Sequence, residues 1–164
     1  MSEQKENTTR TTPDDRDFRS LIQLLDAELA VRDGELHPFY DQYNRLEGIR
    51  HAVVFYSDGS AVGCGALRRF DDDTVEIKRM FVREEFRGNG IGAKILKELE
   101  TWAAESGYSN TILETGKKQP EAIRLYQKAG YELIENFGPY TKTENSLCMK
   151  KIIGLNRISA RTAR

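Results

Sequence analysis

The chain has 164 residues and a formal net charge of −1, and 31% of its residues are charged. This length fits one domain with its own hydrophobic core, and the balanced charge disfavours binding to nucleic acid or to an anionic membrane. Cys64 and Cys148 are too few and too far apart for a disulfide framework or a zinc site. Residues 1–16 are polar and no apolar run reaches the ~18 residues of a spanning helix, so we expect a cytoplasmic protein without a signal peptide.

Two helices are predicted near the start of the chain. Residues 12–15 contain a proline and two acids, which indicates the first turn of a helix. Apolar side chains then recur at helical spacing until the helix ends before Gly34. These side chains are Phe18, Leu21, Leu25 and Leu29. A shorter helix is predicted from about Glu35 to Leu46, because its apolar and aromatic residues share one face.

Three strands in an antiparallel meander follow. The apolar period changes to two, and turn-forming residues at 57–60 and 71–73 separate the runs. The predicted strands are His51–Tyr56, Ala61–Arg69 and Thr74–Val82.

The second half of the chain alternates between helical and extended patterns. A glycine-rich turn opens a helix near Gly90, and Gly107 ends it. A strand, a helix opened by Pro120, and two further strands come next. The predicted ranges are Asn110–Glu114, Gln119–Gly130, Tyr131–Glu135 and Leu147–Ile152.

The turn at residues 87–92 carries the sharpest chemical signal of the sequence. It reads Arg-Gly-Asn-Gly-Ile-Gly and lies between a strand that ends at Val82 and the next helix. Glycines let backbone N–H groups approach an anion, and the helix N-terminus adds partial positive charge. Arg87 adds a guanidinium suited to phosphate. We expect a pyrophosphate ligand, and the alternative is a tight turn that binds nothing.

The same turn also satisfies the dinucleotide-binding pattern G-x-G-x-x-G/A. Gly88, Gly90 and Ala93 fill it, and Glu114 ends the next strand as a ribose-binding acid does. A nucleotide fold places its glycine turn directly after the first parallel strand, whereas this turn follows an antiparallel meander. The dinucleotide hypothesis is therefore the weaker one.

The residues resemble the GNAT superfamily of acetyl-CoA-dependent N-acetyltransferases. Its diagnostic loop, Q/R-x-x-G-x-G/A, is filled here by residues 87–92. A second family segment, N-x-x-A-x-x-L-Y with a following Gly-aromatic pair, is matched at residues 119–126 and 130–131, with Gln119 where the family usually has Asn. The resemblance covers about Thr8 to Lys151, with Thr8–Thr11 as a short first strand that propensity alone does not show.

The resemblance implies an α+β fold of three layers. A mixed, mostly antiparallel central sheet has helices on both faces, and a splayed strand pair holds the pantetheine arm of acetyl-CoA between Met80–Val82 and Leu113–Thr115. The implied cofactor-binding residues are Met80, Phe81, Val82, Arg87, Gly88, Asn89, Gly90, Ile91, Gly92, Glu114, Thr115, Gln119 and Ala122.

The resemblance also assigns two catalytic roles. Glu76 occupies the strand position where several family members carry the general base, and Tyr126 matches the tyrosine that protonates the leaving thiolate. Each residue has a simpler alternative. Glu76 can be an exposed strand carboxylate paired with Lys78, and Tyr126 can pack within an apolar helix stripe.

The acceptor wall is expected at the segment His37–Asn44. Together with the strand face of Lys78, it offers polar groups for a compact acceptor, namely His37, Tyr40, Asn44 and Lys78. The local charges are balanced, and Lys78 can pair with a carboxylate on the acceptor. The sequence therefore favours a small amine carrying an acid group, such as an amino acid, over a protein lysine. The alternative is that these aromatic residues only pack the short helix.

Other interpretations of the sequence stay open. The chain can be a non-catalytic acetyl-CoA-binding module, or a protein-lysine or N-terminal acetyltransferase. We expect a flexible leader at 1–7, an acetyltransferase domain at 8–152 and a basic, disordered tail at 153–164. A homodimer is left open. Both cysteines are predicted to be core residues, and no metal site is predicted.

Overall fold

The structure is a computed structural model that describes residues 4–36, 38 and 45–154. Its helices are α1 (Arg16–Asp33), α2 (Ile91–Glu105) and α3 (Pro120–Lys128). Its strands are β1 (Glu6–Thr11), β2 (Ile49–Ser57), β3 (Ser60–Arg69), β4 (Thr74–Val82), β5 (Asn110–Gly116), β6 (Glu132–Ile134) and β7 (Ser146–Ile152).

The described residues belong to two compact units. The first is drawn from Met1–Arg68 and Lys78–Leu99, and the second from Arg69–Ile77 and Glu100–Arg164. Strand β4 contributes to both, because it passes from the second unit to the first after Ile77.

In the first unit the strands follow the order β1-β2-β3-β4. β1 pairs antiparallel with β2 along its whole length, from Glu6 opposite Ser57 to Thr11 opposite Ala52. The expected short first strand is therefore present and begins at Glu6 rather than at Thr8. Residues 6–7, assigned from the sequence to the leader, form part of this ladder instead. β1 is polar and has no alternating apolar pattern. It is ordered by backbone hydrogen bonds to β2, which do not require apolar side chains.

One face of the first unit's sheet is covered by α1. Asp15 caps this helix, since its carboxylate accepts a hydrogen bond from the Phe18 N–H at 3.0 Å. Of the predicted stripe, Phe18, Leu21 and Leu25 are buried, and Leu29 is partly buried against the same core. The core on this face comprises Phe18, Leu21, Ile22, Leu25, Ile49, Ala52, Val54, Cys64, Ala66 and Phe81.

The opposite face of the same sheet is covered by α2. A β-carbon on Gly63 of β3 would lie 2.8 Å from Ile95 and 3.3 Å from Ile91. Glycine at this strand position thus lets the helix approach the backbone closely. Helices on both faces of the sheet, expected from the resemblance, are confirmed.

In the second unit the strand order is β4-β5-β7-β6. β4 and β5 are parallel, whereas β7 pairs antiparallel with both β5 and β6. The parallel pairing is limited to Thr74–Glu76 against Asn110–Ile112, although β4 extends to Val82 and β5 to Gly116. A mixed, mostly antiparallel sheet is confirmed, with the short parallel register that a splayed strand pair needs.

Two sequence-predicted elements differ from the structure. The short helix expected from Glu35 to Leu46 falls mostly outside the described residues; Glu35 and Leu36 belong to a 3-10 turn, and Pro38 is helical. Residues 45–48 form bends and a turn. β6 is also shorter than the five residues expected from Tyr131 to Glu135, because only Glu132–Ile134 pair with β7.

Candidate active site

The glycine turn is built by two backbone conformations that other residues rarely adopt. A single 3-10 turn, Glu84–Phe86, follows β4, and Arg87 is extended. Gly88 and Gly90 then have φ angles of +84° and +77°. α2 starts at Ile91 immediately afterwards, so its first N–H groups have no partner within the helix.

The space next to Gly88 and Gly90 is open, as an anion bound to this turn would require. A β-carbon placed on Gly88 or on Gly90 would meet no atom within 4 Å. The turn is exposed, and the 15-residue helix behind it supplies the partial positive charge of its N-terminus. Asn89 stiffens the turn by donating from Nδ2 to the Phe86 carbonyl at 3.0 Å. The residues present fit a pyrophosphate held by backbone N–H groups.

The Arg87 guanidinium, at the start of the turn, already has partners within the protein. Its Nε donates to the Val82 carbonyl at 2.8 Å, and its Nη2 pairs with Glu28 Oε2 at 2.9 Å. The guanidinium also lies 5.6 Å from the centre of the Phe81 ring. Sequence reasoning missed Glu28, because no local pattern links a residue of α1 to a turn so distant in the chain.

A groove of about 270 Å³ lies beside this arginine in the first unit. Two predicted cofactor-binding residues, Phe81 and Arg87, line it together with α1 side chains and the acids before the turn. The complete lining is Leu24, Glu28, Phe81, Arg83, Glu84, Glu85 and Arg87. Of the remaining β4 residues predicted for the cofactor, Met80 and Val82 are half-buried.

Glu76 lies in the part of β4 that belongs to the second unit, opposite Ile112 of β5. Glu76 is buried, with 7% relative exposure, and so is Lys78. The carboxylate is therefore not exposed, as the alternative had it, while a pairing with Lys78 stays a prediction. β4 is buried without interruption from Thr74 to Arg79, as expected for a strand covered on both faces.

Tyr126 lies on α3 and is only 6% exposed. Its ring meets the Tyr131 ring edge to face, with 5.8 Å between the centroids. Burial, together with the nearby Glu114 carboxylate, raises the pKa of the Tyr126 hydroxyl above its ordinary value. Tyr126 thus packs as the helix stripe predicts, and its surroundings also keep the proton that a general acid needs.

The other predicted residues of the second unit lie on β5 and around the start of α3. Glu114 is half-buried on β5, opposite Cys148 of β7, and Thr115 is buried. Gln119 is the residue before α3, where its side chain makes no capping hydrogen bond and its amide lies beside Gly116. Ala122 is half-buried in the first turn of α3.

Both cysteines are buried free thiols, as predicted. Burial raises the pKa of Cys64 to about 12 and that of Cys148 to about 11, so neither is a thiolate at neutral pH. The carboxylates of Glu114 and Glu76 also contribute to the raised pKa of Cys148, and Glu114 is paired with Cys148 across β5 and β7. Sequence reasoning did not connect the three residues, because register across β4, β5 and β7 brings them together.

Three predicted acceptor-binding residues, His37, Tyr40 and Asn44, lie outside the described residues. Among the residues that are described, no group of three or more His, Cys, Asp or Glu side chains could hold a metal ion. No helix in this part of the chain is long and apolar enough to cross a membrane.

With this geometry in place, comparison with known proteins decides the family. The profile of the acetyltransferase (GNAT) family matches residues 18–131. The chain belongs to this family. An IAA acetyltransferase of Azospirillum brasilense is 42% identical over 140 residues, which cover 80% of this chain and 90% of that protein.

Solved structures agree with the assignment. An acyl-CoA N-acyltransferase structure from Klebsiella pneumoniae subsp. pneumoniae is 32% identical with a TM-score of 0.76, covering 90% of this chain and 97% of that one. A GNAT acetyltransferase from Elizabethkingia anophelis, crystallised with acetyl-CoA, has the same fold at 24% identity, with a TM-score of 0.67 over 90% of this chain and 97% of that one.

As a member of the acetyltransferase (GNAT) family, this protein uses acetyl-CoA as its co-substrate. Its glycine turn follows the last strand of an antiparallel meander, and β5 is parallel to β4 over three residue pairs. The dinucleotide interpretation is overturned by the family and the fold together.

Proposed function

We propose that this acetyltransferase moves the acetyl group of acetyl-CoA to the primary amine of a small metabolite by direct attack of the amine. The observation that carries the proposal is the buried carboxylate of Glu76 on β4. A buried carboxylate on this strand suits a general base, because proton transfer is most effective where water does not compete for the base.

The amine needs such a base. An alkyl ammonium with a pKa of ~10.4 is deprotonated only about once in 10³ molecules at neutral pH, which costs roughly 4–5 kcal/mol. Glu76 takes this proton directly or through a water molecule. The nitrogen lone pair then forms the bond to the acetyl carbon, the carbon–sulfur bond breaks, and the nitrogen gives up its second proton to water as the amide forms.

Tyr126 supplies the proton for the leaving thiolate. Its buried hydroxyl keeps its proton at every pH near neutral, since its pKa is raised by burial and by Glu114. A free thiol has a reference pKa of ~8.5, below that of tyrosine, so this hydroxyl acts by donating to the sulfur while the carbon–sulfur bond breaks, and it then regains its proton from solvent.

The co-substrate is held by the first unit's turn and by strand backbone. The N–H groups of residues 87–92 would bind the pyrophosphate, and the backbone of residues 80–82 would contact the pantetheine arm. From the second unit, Glu114, Thr115, Gln119 and Ala122 complete the proposed set.

The acceptor is proposed to be small and to carry an acid group. The Azospirillum brasilense relative is called an IAA acetyltransferase, which supports an acceptor of small-molecule size. Lys78 and the segment His37–Asn44 remain the proposed acceptor contacts. A protein-lysine or N-terminal acetyltransferase is the second candidate.

The deciding experiment follows thiol release from acetyl-CoA by the full chain with free amino acids, polyamines and lysine-containing peptides. We expect free amino acids to give the highest kcat/KM. A peptide preferred by more than ~10-fold, which corresponds to about 1.4 kcal/mol, would contradict the small-acceptor proposal. Thermal shift should show stabilisation by acetyl-CoA and none by NAD.

Domain limits, location and assembly are also proposals. We propose a catalytic domain over residues 8–152, extended at its start by the pairing of Glu6 and Asn7 with β2. A cytoplasmic location and a homodimer stay predictions, which fractionation and light scattering would test.

A further inference from the structure

Arg79 of β4 is a buried cation whose hydrogen bonding is incomplete. Its side chain is 2% exposed, and its Nη2 pairs with Asp26 Oδ1 of α1 at 2.5 Å. Its Nε and Nη1 are fully buried and have no hydrogen-bond partner among the described residues. An arginine guanidinium is not deprotonated in proteins, so its N–H groups always remain hydrogen-bond donors.

The backbone of Arg79 is unusual as well. Its φ angle is +59°, in the left-handed region that a residue with a side chain rarely adopts. The Cys64 Sγ lies 3.5 Å from its carbonyl oxygen. Residues held in such conformations cluster at active sites, where surrounding structure maintains them.

The position of Arg79 in the chain connects it to the reaction. It follows Lys78, a proposed acceptor contact, and directly precedes Met80–Val82, whose backbone is proposed to hold the pantetheine arm. In the first unit its ion-pair partner Asp26 has a side chain that is 44% exposed, so the pair links a buried guanidinium to the protein surface.

Two chemical features identify what this arginine can bind. The guanidinium is planar and carries five N–H donors, and Asp26 accepts a hydrogen bond from its Nη2 alone. The remaining buried donors favour an anionic acceptor of hydrogen bonds, since an unpaired buried donor is costly to keep. A carboxylate of the acceptor has the charge and the paired oxygens to replace Asp26 on the guanidinium.

We propose that Arg79 binds the carboxylate of the amine acceptor and that Asp26 is its exchangeable partner when no acceptor is bound. The inference rests on the proposed function and deepens it, because it makes Arg79 a specificity-determining residue for acid-bearing amines. Lys78 remains a further contact, as a point charge without the planar fork of Arg79.

The test compares Arg79→Lys and Asp26→Asn with the full-length wild type. Each enzyme is assayed with free amino acids and with the corresponding amino acid amides, which keep the amine and lose the carboxylate. In wild type, kcat/KM should favour the acid over the amide. Arg79→Lys should lower this ratio by about tenfold or more through KM for the acid, and Asp26→Asn should raise it about threefold because it removes the competing carboxylate.

Controls separate recognition from a structural role. Arg10→Lys alters another ion pair of the same unit, 2.6 Å from Arg10 Nε to Glu98 Oε1, and should leave the ratio unchanged. Acetyl-CoA affinity and thermal unfolding are measured for every variant. If Arg79→Lys does not fold, Asp26→Asn decides the matter, since its predicted effect is a gain that damage to the fold does not produce.

The outcomes are distinct. Turnover of amines with an acid-to-amide ratio unchanged in the folded variants overturns the role of Arg79 and leaves the proposed function intact. Absence of turnover with every amine overturns the proposed function and this inference with it. Opposite shifts of the ratio in the two variants support the inference.

Discussion

Two regions of the molecule differ in the physical basis of their proposed roles. One is the glycine turn of the first unit, and the other comprises Glu76 and Tyr126 of the second unit. The turn is exposed over residues 87–90, and Gly88 and Gly90 have left-handed backbone conformations. Glu76 and Tyr126 are buried side chains from β4 and α3. The proposed anion binding at the turn would therefore depend on local backbone shape, whereas the proposed proton transfer in the second unit would depend on desolvation.

This difference predicts how each region fails. A substitution at the turn adds bulk or strain and removes binding of acetyl-CoA while the proton-transfer groups remain. A substitution at Glu76 or Tyr126 removes a proton donor or acceptor and leaves binding largely intact. Measuring the affinity for acetyl-CoA separately from kcat distinguishes the two.

The largest effect is expected for Gly90→Val. A β-branched side chain would fill the open space above the turn and oppose the φ angle of +77°. We expect the KM for acetyl-CoA to rise by about 100-fold or more, which corresponds to roughly 2.7 kcal/mol. Calorimetric titration with acetyl-CoA measures the loss directly.

Gly59→Val is the matched control for this substitution. Gly59 lies in the β2–β3 turn with a φ angle of +83°, and a β-carbon added there would meet no atom within 4 Å, as at Gly90. Both variants carry the same kind of backbone strain. A loss of affinity for acetyl-CoA in Gly90→Val but not in Gly59→Val is therefore due to the position of the turn. Unchanged affinity in folded Gly90→Val would contradict the assignment of the turn.

The next largest effect is expected for Tyr126→Phe. Loss of the hydroxyl removes the proton donor and keeps the packed ring, so kcat should fall by about 10²-fold with little change in acetyl-CoA affinity. Tyr131→Phe serves as control, because it removes the buried hydroxyl that bonds Thr111 at 2.7 Å. That control should lose about 1 kcal/mol of stability and keep kcat.

The pH profile of wild type tests the same residue. A raised pKa keeps Tyr126 protonated to higher pH than a free tyrosine, so loss of the donor should begin only above pH ~10. A basic limb of the kcat profile that is absent from Tyr126→Phe would support the assignment. If Tyr126→Phe kept the kcat of wild type, the Tyr126 hydroxyl would have no part in the reaction and the ring would serve only in packing.

A smaller effect is expected for Glu76→Gln. Water can accept the amine proton in place of the carboxylate, so kcat/KM at neutral pH should fall by roughly 30-fold. The deficit should shrink as the pH approaches the ~10.4 of a free alkyl amine, because the amine then needs no base. Glu100→Gln alters another buried carboxylate of the second unit, paired with Lys151 at 2.9 Å, and should show no such pH-dependent recovery.

The smallest effect is expected for Glu28→Gln. Removing this carboxylate releases Arg87 from its 2.9 Å ion pair and reduces negative charge in the groove. The KM for acetyl-CoA should decrease about two- to threefold at low salt, in keeping with ~0.5 kcal/mol for a partly exposed pair. Glu98→Gln, in a similarly exposed pair with Arg10, should leave this KM unchanged.

The sequence predicted those elements whose signals are local. The stripe of α1, the turns of the meander and the start of α2 after Gly90 all agree with the structure. β1 was found only through the family resemblance, because its polar residues are ordered by pairing with β2. The full length of β6 was overestimated, since extended propensity does not tell where pairing stops.

By itself the sequence determined the glycine turn, because the conformations of Gly88 and Gly90 and the start of a helix are encoded by neighbouring residues. Tertiary structure alone decided that Glu76 is buried, that Glu28 holds Arg87 and that Asp26 holds Arg79. These last two pairs join α1 to residues 59 and 53 positions further along the chain. Charge partners at such separations depend on packing and strand register, for which a single sequence has no periodic signal.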